Sequence, residues 1–300
     1  MRAIRLQAQG GAEQMRLDDA PQPVPNNGEV LIKVHATAVT PTELLWDLTW
    51  STYAGEPRTL PILSHEFSGE VAELGEGVSD VAVGDEVYGL NDWTVNGALA
   101  QYMIATPAQL ANKPNSIDYQ QAAAIPMSAL TAWQALVVRA NISEGQRILI
   151  HGAAGGVGNM AVQIAHWRGA YVIATASVDN LDHVRASGAD EVIDYRQSRF
   201  EEVAGDVDVI FDAVGGETLE RSITMLKANA QLISIATESK ETDYFFYVEP
   251  SHEQLGAIAR LIDSGELHSV ANEIFPLEKA REAYQSKPIR GKFVIAIDDI

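Results

Sequence analysis

Between positions 149 and 177 the chain reads LIHGAAGGVGNMAVQIAHWRGAYVIATAS, with glycines at 152, 155, 156 and 158 between an apolar, strand-like run and a helix-like one. The pattern predicts a strand that ends at Gly152, a turn over 153–155 and a helix that begins near Gly156. Such a loop is either a plain tight turn or a phosphate cradle. Without side chains at Gly155 and Gly156, a diphosphate can approach the backbone, where free N–H groups at the helix start meet its charge. Gly158 lets the first helical turn lie close to the sheet. The context favours the cradle: the loop follows the first strand of an alternating region, and a second strand, AYVIATA, follows at the expected distance.

That region begins near residue 118. QAAAIPMSALTAWQALVVRA (121–140) is helical in composition, with Pro126 as an interruption. RILIHG (147–152), AYVIATA (170–176), EVIDY (191–195), DVDVIFDAVGG (206–216) and AQLISIAT (230–237) supply the apolar runs of strands covered on both faces. Helices are expected between them, over roughly 156–168 and 179–187 among others. Repeated strand–helix units predict a doubly wound parallel sheet, with TDYFFYVEP (242–250) as its sixth strand.

Residues 1–117 read differently. EVLIKVHATAV (29–39) alternates as a half-buried strand, and SGEVAELGEGV and VAVGDEVYGL add strands turned at Gly75, Gly77 and Gly84. A mainly antiparallel small barrel is expected here. The segment 251–300 offers helices at 253–264 and 278–285 and a closing strand, KFVIAI, that can return to the first domain. The expected division is therefore 1–117, 118–250 and 251–300.

Composition narrows the function. A formal charge of −20 argues against nucleic acid or an anionic membrane as a partner, since both reward Lys and Arg. The absence of cysteine removes disulfides and thiolate metal sites. The N-terminus MRAIRLQAQGGAEQ has no apolar segment of signal-peptide length and no window of 18 apolar residues occurs, so a soluble, cytoplasmic protein is expected. An NAD site places Asp or Glu at the end of the second strand, for the ribose hydroxyl. Here that position falls at Thr175–Ser177, small and uncharged, which leaves room for a 2′-phosphate and favours NADP. Asp179 lies just beyond, and no Arg or Lys follows until Arg185.

Several further motifs occur in order: LPILSHEFSGEVAELGEGVSDVAVGDEVYG, AAAIPMSALTAWQAL, GADEVIDY, VDVIFDAVGGETLERS and FPLEKAREAYQSKPIRGKFV. With the glycine loop they make the chain resemble, over nearly its whole length, the zinc-free quinone oxidoreductase-like branch of the medium-chain dehydrogenase/reductase superfamily. The resemblance implies a GroES-like β-barrel catalytic domain, formed from both ends of the chain, around a Rossmann domain that binds NADPH. It implies hydride transfer to a quinone or an α,β-unsaturated carbonyl compound. Carried over by position, Gly152, Gly155, Gly156, Val157 and Gly158 would cradle the diphosphate. Ser177 and Tyr195 would surround the 2′-phosphate, Ala213 and Val214 would border the adenosine, and Thr131, Ile235 and Ala236 would lie along the nicotinamide. Lys292 either reaches the cleft or is a surface lysine. A homodimer, paired across the sixth-strand edge, is also implied.

Two departures matter. Zinc-dependent relatives use Cys, His and a further Cys; SHEFSGEV keeps His65 and Glu66, but Thr40 and Pro126–Met127 stand at the other two positions. One imidazole and one carboxylate do not make a three-ligand zinc site, so no metal is expected. Members of the branch commonly carry VNP or VNF, whereas VTP here puts the Thr40 hydroxyl in place of an amide. Without zinc, reduction of a conjugated acceptor is the accessible chemistry, because the charge spreads into an oxygen that needs only a few hydrogen-bond donors. Thr40, Trp46, Tyr53 and Trp93 are candidates for the acceptor slot, with Tyr53 as proton donor; His35 and His151 read as structural. The alternatives are an NADPH-binding sensor or structural protein without turnover, and a zinc-free alcohol dehydrogenase.

Overall fold

The structure, a computed structural model, describes residues 1–297. Its first part carries β1 (Arg2–Leu6), β2 (Met15–Asp19), β3 (Val30–Ala38), β4 (Glu66–Leu74), β5 (Glu86–Leu90), β6 (Tyr102–Ala105) and β7 (Leu110–Asn112). β1 and β2 pair with each other; β3, β4, β5 and β7 pair antiparallel in that order, and β6 also lies along β3. The half-buried reading of β3 needs correction. Leu31 is as buried as Val30 and Ile32, and only Lys33 and His35 keep partial exposure. The reason is the helix that follows the barrel, α1 (Tyr119–Ala123), which packs on β3 and β4; its Tyr119 ring stacks on His35 with centroids 4.3 Å apart.

After α1 come α2 (Pro126–Trp133), β8 (Arg147–His151), α3 (Gly156–Trp167), β9 (Tyr171–Ala176), α4 (Leu181–Ala186) and β10 (Glu191–Asp194). Then follow α5 (Phe200–Val203), β11 (Val209–Asp212), α6 (Gly216–Ile223), β12 (Gln231–Ser234) and β13 (Tyr244–Phe245). Pro126 starts a helix rather than interrupting one, since at the first helical position its missing N–H takes nothing from the ladder. The six strands form one parallel sheet in the order β10-β9-β8-β11-β12-β13, the doubly wound arrangement. The sixth strand is only the pair Tyr244–Phe245, not the whole of 242–250.

The chain ends with α7 (His252–Asp263), β14 (Ala271–Pro276), α8 (Ala280–Gln285) and β15 (Lys292–Ala296). β15 lies between β14 and β3, parallel to the first and antiparallel to the second, so the closing strand does return to the barrel sheet. One buried cluster runs from Tyr88 and Leu90 of the barrel through α2 to Ile148, Ile150 and Met160, which joins the two lobes across the cleft. Tyr88 also donates its hydroxyl hydrogen to the Leu255 carbonyl of α7 at 2.7 Å. No helix among the described residues is long and apolar enough to cross a membrane.

Candidate active site

The carboxyl ends of the parallel strands form one rim, the place where doubly wound sheets bind their ligands. Gly152 follows β8, Ser177 follows β9, Tyr195 follows β10, Ala213 and Val214 follow β11, and Ile235 and Ala236 follow β12. The turn starts at Gly152, with φ +74°, and α3 begins at Gly156 with no side chain capping its N-terminus. A methyl group at Gly158 would run into the Gly152 carbonyl oxygen, so only glycine lets this turn sit against the strand end. A Cβ at Gly155, in contrast, would meet only that oxygen at 3.4 Å, an ordinary contact. The first-turn N–H groups of α3 have no intrahelical partner, and the backbone just before them is open at Gly155.

Buried polar groups hold the rim. Asp212 accepts the Val214 and Gly215 N–H groups, each at 3.0 Å, and the Ser234 hydroxyl at 2.9 Å. His151 lies 3.0 Å from Thr175 Oγ1 and 3.0 Å from Ser222 Oγ. Ser222 spends its proton on the Thr218 carbonyl, so His151 Nε2 donates to it and Nδ1 accepts from Thr175. Burial pushes the His151 pKa down to about 4, so the ring is neutral and ties β8, β9 and α6 together, as a structural histidine does.

At the outer end, the Asn180 amide donates to Ser177 Oγ at 3.2 Å and to the Ile289 carbonyl at 3.1 Å. The half-exposed Tyr195 ring lies 5.6 Å from the Arg196 guanidinium. Burial, and then the charge of Arg290, lower the pKa of His183, which places Arg290 near α4. Arg185, the first cation after the second strand, is committed to Asp182 at 2.9 Å. Arg196 and Arg290 escape a reading confined to the residues right after β9. Adjacency to Tyr195 is a local signal for Arg196, whereas Arg290 has none.

Across from the rim, Val39, Thr40, Met127, Ser128, Gly156, Val157 and Lys292 are among the residues lining a cavity of about 210 Å³. Lys292 is 8% exposed and pairs with the fully buried Glu66 carboxylate; its ammonium also donates to Thr40 Oγ1 at 3.2 Å. The other Glu66 oxygen accepts the Met127 N–H at 3.1 Å. Burial raises the Glu66 pKa, with the Lys292 charge pulling it back. The Gly291 N–H reaches the Ala154 carbonyl at 2.8 Å, so the C-terminal segment lies directly on the glycine loop. A methyl group at Gly156 would meet Lys292 Cγ at 2.7 Å and Ser128 Oγ at 2.8 Å. Ser128 Oγ is buried without a hydrogen-bond partner, a donor that sequence reasoning missed. Thr131 is also buried, but its hydroxyl is spent on the Met127 carbonyl at 2.6 Å.

Trp46 and Trp93 come from two loops and do not line the Thr40 cavity itself. Trp46 and Trp93 meet edge to face at 5.3 Å, and Trp93 meets the His65 ring at 5.3 Å. Arg58, also missed, joins the loops by donating to the carbonyls of Leu48 at 2.9 Å, Trp93 at 3.2 Å and Val95 at 2.6 Å. Tyr53 stands apart from the Thr40 cavity. It is 67% exposed, and burial of its hydroxyl, then the Asp92 charge, raise its pKa, the wrong direction for a proton donor.

Zinc needs several protein ligands around one point. His65 Nδ1 lies 3.3 Å from Glu43 and Nε2 lies 3.2 Å from the Val95 carbonyl, while Glu66 holds an ammonium. Among the described residues no group of three or more His, Cys, Asp or Glu can hold a metal ion. The residues present do not fit zinc. They do fit a dinucleotide: a cradle without Cβ atoms at its lip, an uncapped helix start and a buried hydroxyl without a partner.

The comparisons with known proteins agree with this geometry. Residues 26–115 match the alcohol dehydrogenase GroES-like domain, and residues 187–295 match the family described as zinc-binding dehydrogenase. The chain is 31% identical to the quinone oxidoreductase of Rattus norvegicus, over 99% of this chain and 98% of that protein. It is also 31% identical to a probable zinc-binding oxidoreductase, mitochondrial, of Arthroderma benhamiae, over 95% of this chain and 94% of that one. The solved quinone oxidoreductase of Coxiella burnetii superposes with a TM-score of 0.89 at 30% identity, covering 99% of both chains. With its parallel nucleotide rim, GroES-like barrel and lack of a zinc ligand set, the chain belongs to the medium-chain dehydrogenase/reductase superfamily, in its zinc-free quinone oxidoreductase-like branch.

Proposed function

We propose that the protein reduces quinones or α,β-unsaturated carbonyl compounds with NADPH and without a metal. The observation that carries this reading is the shared cavity: Gly156 and Val157 of the cradle open onto the same space as Thr40, Met127 and Lys292. A cofactor held by the cradle thus lies against the acceptor slot, and position supplies much of the catalysis. The chain spans nearly the full length of the quinone oxidoreductases of Rattus norvegicus and Homo sapiens that it resembles, at 31% and 29% identity, and 77% of an NADPH-dependent alkenal/one oxidoreductase of Arabidopsis thaliana, at 31% identity.

In this reading NADPH supplies the hydride. Gly152, Gly155, Gly156, Val157 and Gly158 hold the diphosphate with backbone donors, joined by Ser128. Ser177, Tyr195, Arg196 and Arg290 surround the 2′-phosphate, and Ala213 and Val214 border the adenosine. Ile235, Ala236 and Thr131 line the nicotinamide side. Lys292 packs its stem under Gly156 and thereby supports the cradle. Trp46 and Trp93 wall the slot for a flat acceptor, and Thr40 meets the acceptor oxygen. The domain division at 117/118 and 250/251, a homodimer across the β13 edge, a cytoplasmic location and the absence of a nucleic-acid partner belong to the same proposal.

The test is NADPH oxidation, followed by its near-ultraviolet absorbance, against a quinone, a short enal and a 2-alkenone, with NADH in parallel. Turnover of at least one acceptor with preference for NADPH supports the reading. Saturable NADPH binding without turnover on the whole panel favours the sensor alternative.

A further inference from the structure

We propose that Lys292 is a positioning residue that makes Thr40 an obligate hydrogen-bond donor to the oxygen that becomes negative when a conjugated acceptor takes up hydride. The inference rests on the reductase reading above and adds to it the residue that orients the Thr40 hydroxyl toward the developing charge.

A threonine hydroxyl has one proton to give and two lone pairs to fill. Lys292, an ammonium that only donates, lies 3.2 Å from Thr40 Oγ1 and fills one of those lone pairs. Among the described residues the Thr40 proton has only Met127 Sδ, at 3.5 Å, and a thioether is a weak acceptor. Neighbouring buried threonines behave differently. Thr131 gives its proton to the Met127 carbonyl at 2.6 Å, and Thr49 gives its proton to the Glu43 carbonyl at 2.6 Å. Those two hydroxyls serve the backbone, whereas the proton of Thr40 is held by no strong acceptor and its residue lines the cavity.

Glu66 keeps this arrangement in one sense. Its two oxygens are taken by Lys292 and by the Met127 N–H, so the carboxylate pairs with the ammonium and does not compete for the Thr40 proton. The ion pair also fixes the Lys292 ammonium against Thr40 in a buried place, and a charged donor polarises the hydroxyl it contacts. A buried carboxylate, an ammonium and a hydroxyl thus form a chain whose last member presents O–H to the slot.

The chemistry balances without a further reactant. Hydride from NADPH forms a C–H bond at the β-carbon, the C=C pair shifts to the α-carbon–carbonyl bond, and the carbonyl π pair moves onto oxygen. Thr40 keeps its proton and hydrogen-bonds that oxygen. Water supplies the proton that completes the saturated product, and NADP⁺ leaves.

The test uses 4-nitrophenol, whose phenolate oxygen stands in for the enolate, bound to the NADP⁺-loaded protein and titrated by absorbance. The bound phenol should ionise at a pH lower by about one unit, tenfold in the equilibrium. Thr40→Val should abolish this shift and Thr40→Ser should retain it. Lys292→Met combined with Glu66→Gln, which leaves no buried charge unpaired, should also abolish it although Thr40 is intact. A merely structural role for Lys292 would not move the phenol pKa. In turnover, Thr40→Val should lower kcat roughly a hundredfold, the lower end of the range for loss of one oxyanion donor, with NADPH affinity unchanged. No binding of the phenol, or a shift that survives either Thr40→Val or the double substitution, overturns the proposal. Turnover without the shift refutes this inference alone; failure on the acceptor panel refutes the reductase reading, whatever the phenol shows.

Discussion

Along the rim of the parallel sheet, the glycine loop and the ends of β9 and β11 offer backbone and small side chains: Gly152, Gly155, Gly156, Ser177, Ala213. Across the cleft, the floor is built from Thr40, Glu66 and Lys292, and its central ion pair joins residues 226 positions apart. The rim has its shape from local causes, namely a positive φ at Gly152 and the absence of a Cβ at Gly158. The floor has its shape from a charge pair that exists only once β15 has returned to lie beside β3. Sterics should therefore govern what changes at the rim do, and electrostatics what changes at the floor do.

The largest effect expected lies on the floor. Lys292→Met leaves Glu66 charged and unpaired in the interior and should destabilise the protein by about 3–5 kcal/mol in chemical unfolding. Glu66→Gln in the same chain should recover most of it. The sign with pH follows from the carboxylate: its native pKa is raised, so protonation favours the native state and the loss should shrink as the pH is lowered. A deficit that deepens on acidification would place the charge elsewhere.

His151 tests the rim with the opposite sign. Its native pKa, about 4, lies below the ordinary value of 6.5, so between those values the unfolded chain binds the proton more readily. Its contribution is complete above pH 6.5 and is lost as the pH falls through 4, by roughly 3 kcal/mol in total. His151→Gln should be less sensitive than the parent over that window, whatever its stability at pH 7. Equal slopes for the two proteins would contradict a buried neutral imidazole.

Two glycines separate shape from ligand. Gly158→Ala forces its methyl group against the Gly152 carbonyl and should cost about 1–3 kcal/mol of stability, with NADPH binding weakened as well. Gly155→Ala has room and should unfold within about 0.5 kcal/mol of the parent, yet weaken NADPH roughly tenfold in a fluorescence titration, because its methyl would enter the proposed diphosphate cradle. Tyr53→Phe should do least, changing kcat less than about twofold, since the ring is exposed and a surface change is usually small.

The same contrast explains what was legible in the sequence. Gly152 through Gly158 lie within one turn and one helix start, and the alternating strands around them have a period, so the rim and its order could be read directly. Thr40 and Lys292 were reached only through motif resemblance. Glu66 stood out as the neighbour of a lone histidine, and its ammonium partner was invisible because a pair across the chain leaves no local pattern. Ser128, Arg58 and Arg290 were missed for the same reason. β3 misled in another way: alternation in 29–39 suggested one wet face, but Leu31 is buried and Tyr119 of the following helix stacks on His35, so that only Lys33 and His35 stay partly exposed. Tyr53 has the chemistry of a proton donor, but it is exposed and lies outside the lining of the Thr40 cavity.

The most direct test of the central claim, hydride transfer from the rim to an acceptor on a floor without a metal, is the rate of NADPH-dependent quinone reduction by protein stripped with a strong chelator. The rate is then measured again after added Zn²⁺. The account predicts turnover in the stripped protein and no gain on adding zinc. No turnover until zinc is restored would contradict it, and would mean that His65 and Glu66 leave Glu43 and Lys292 to bind the ion.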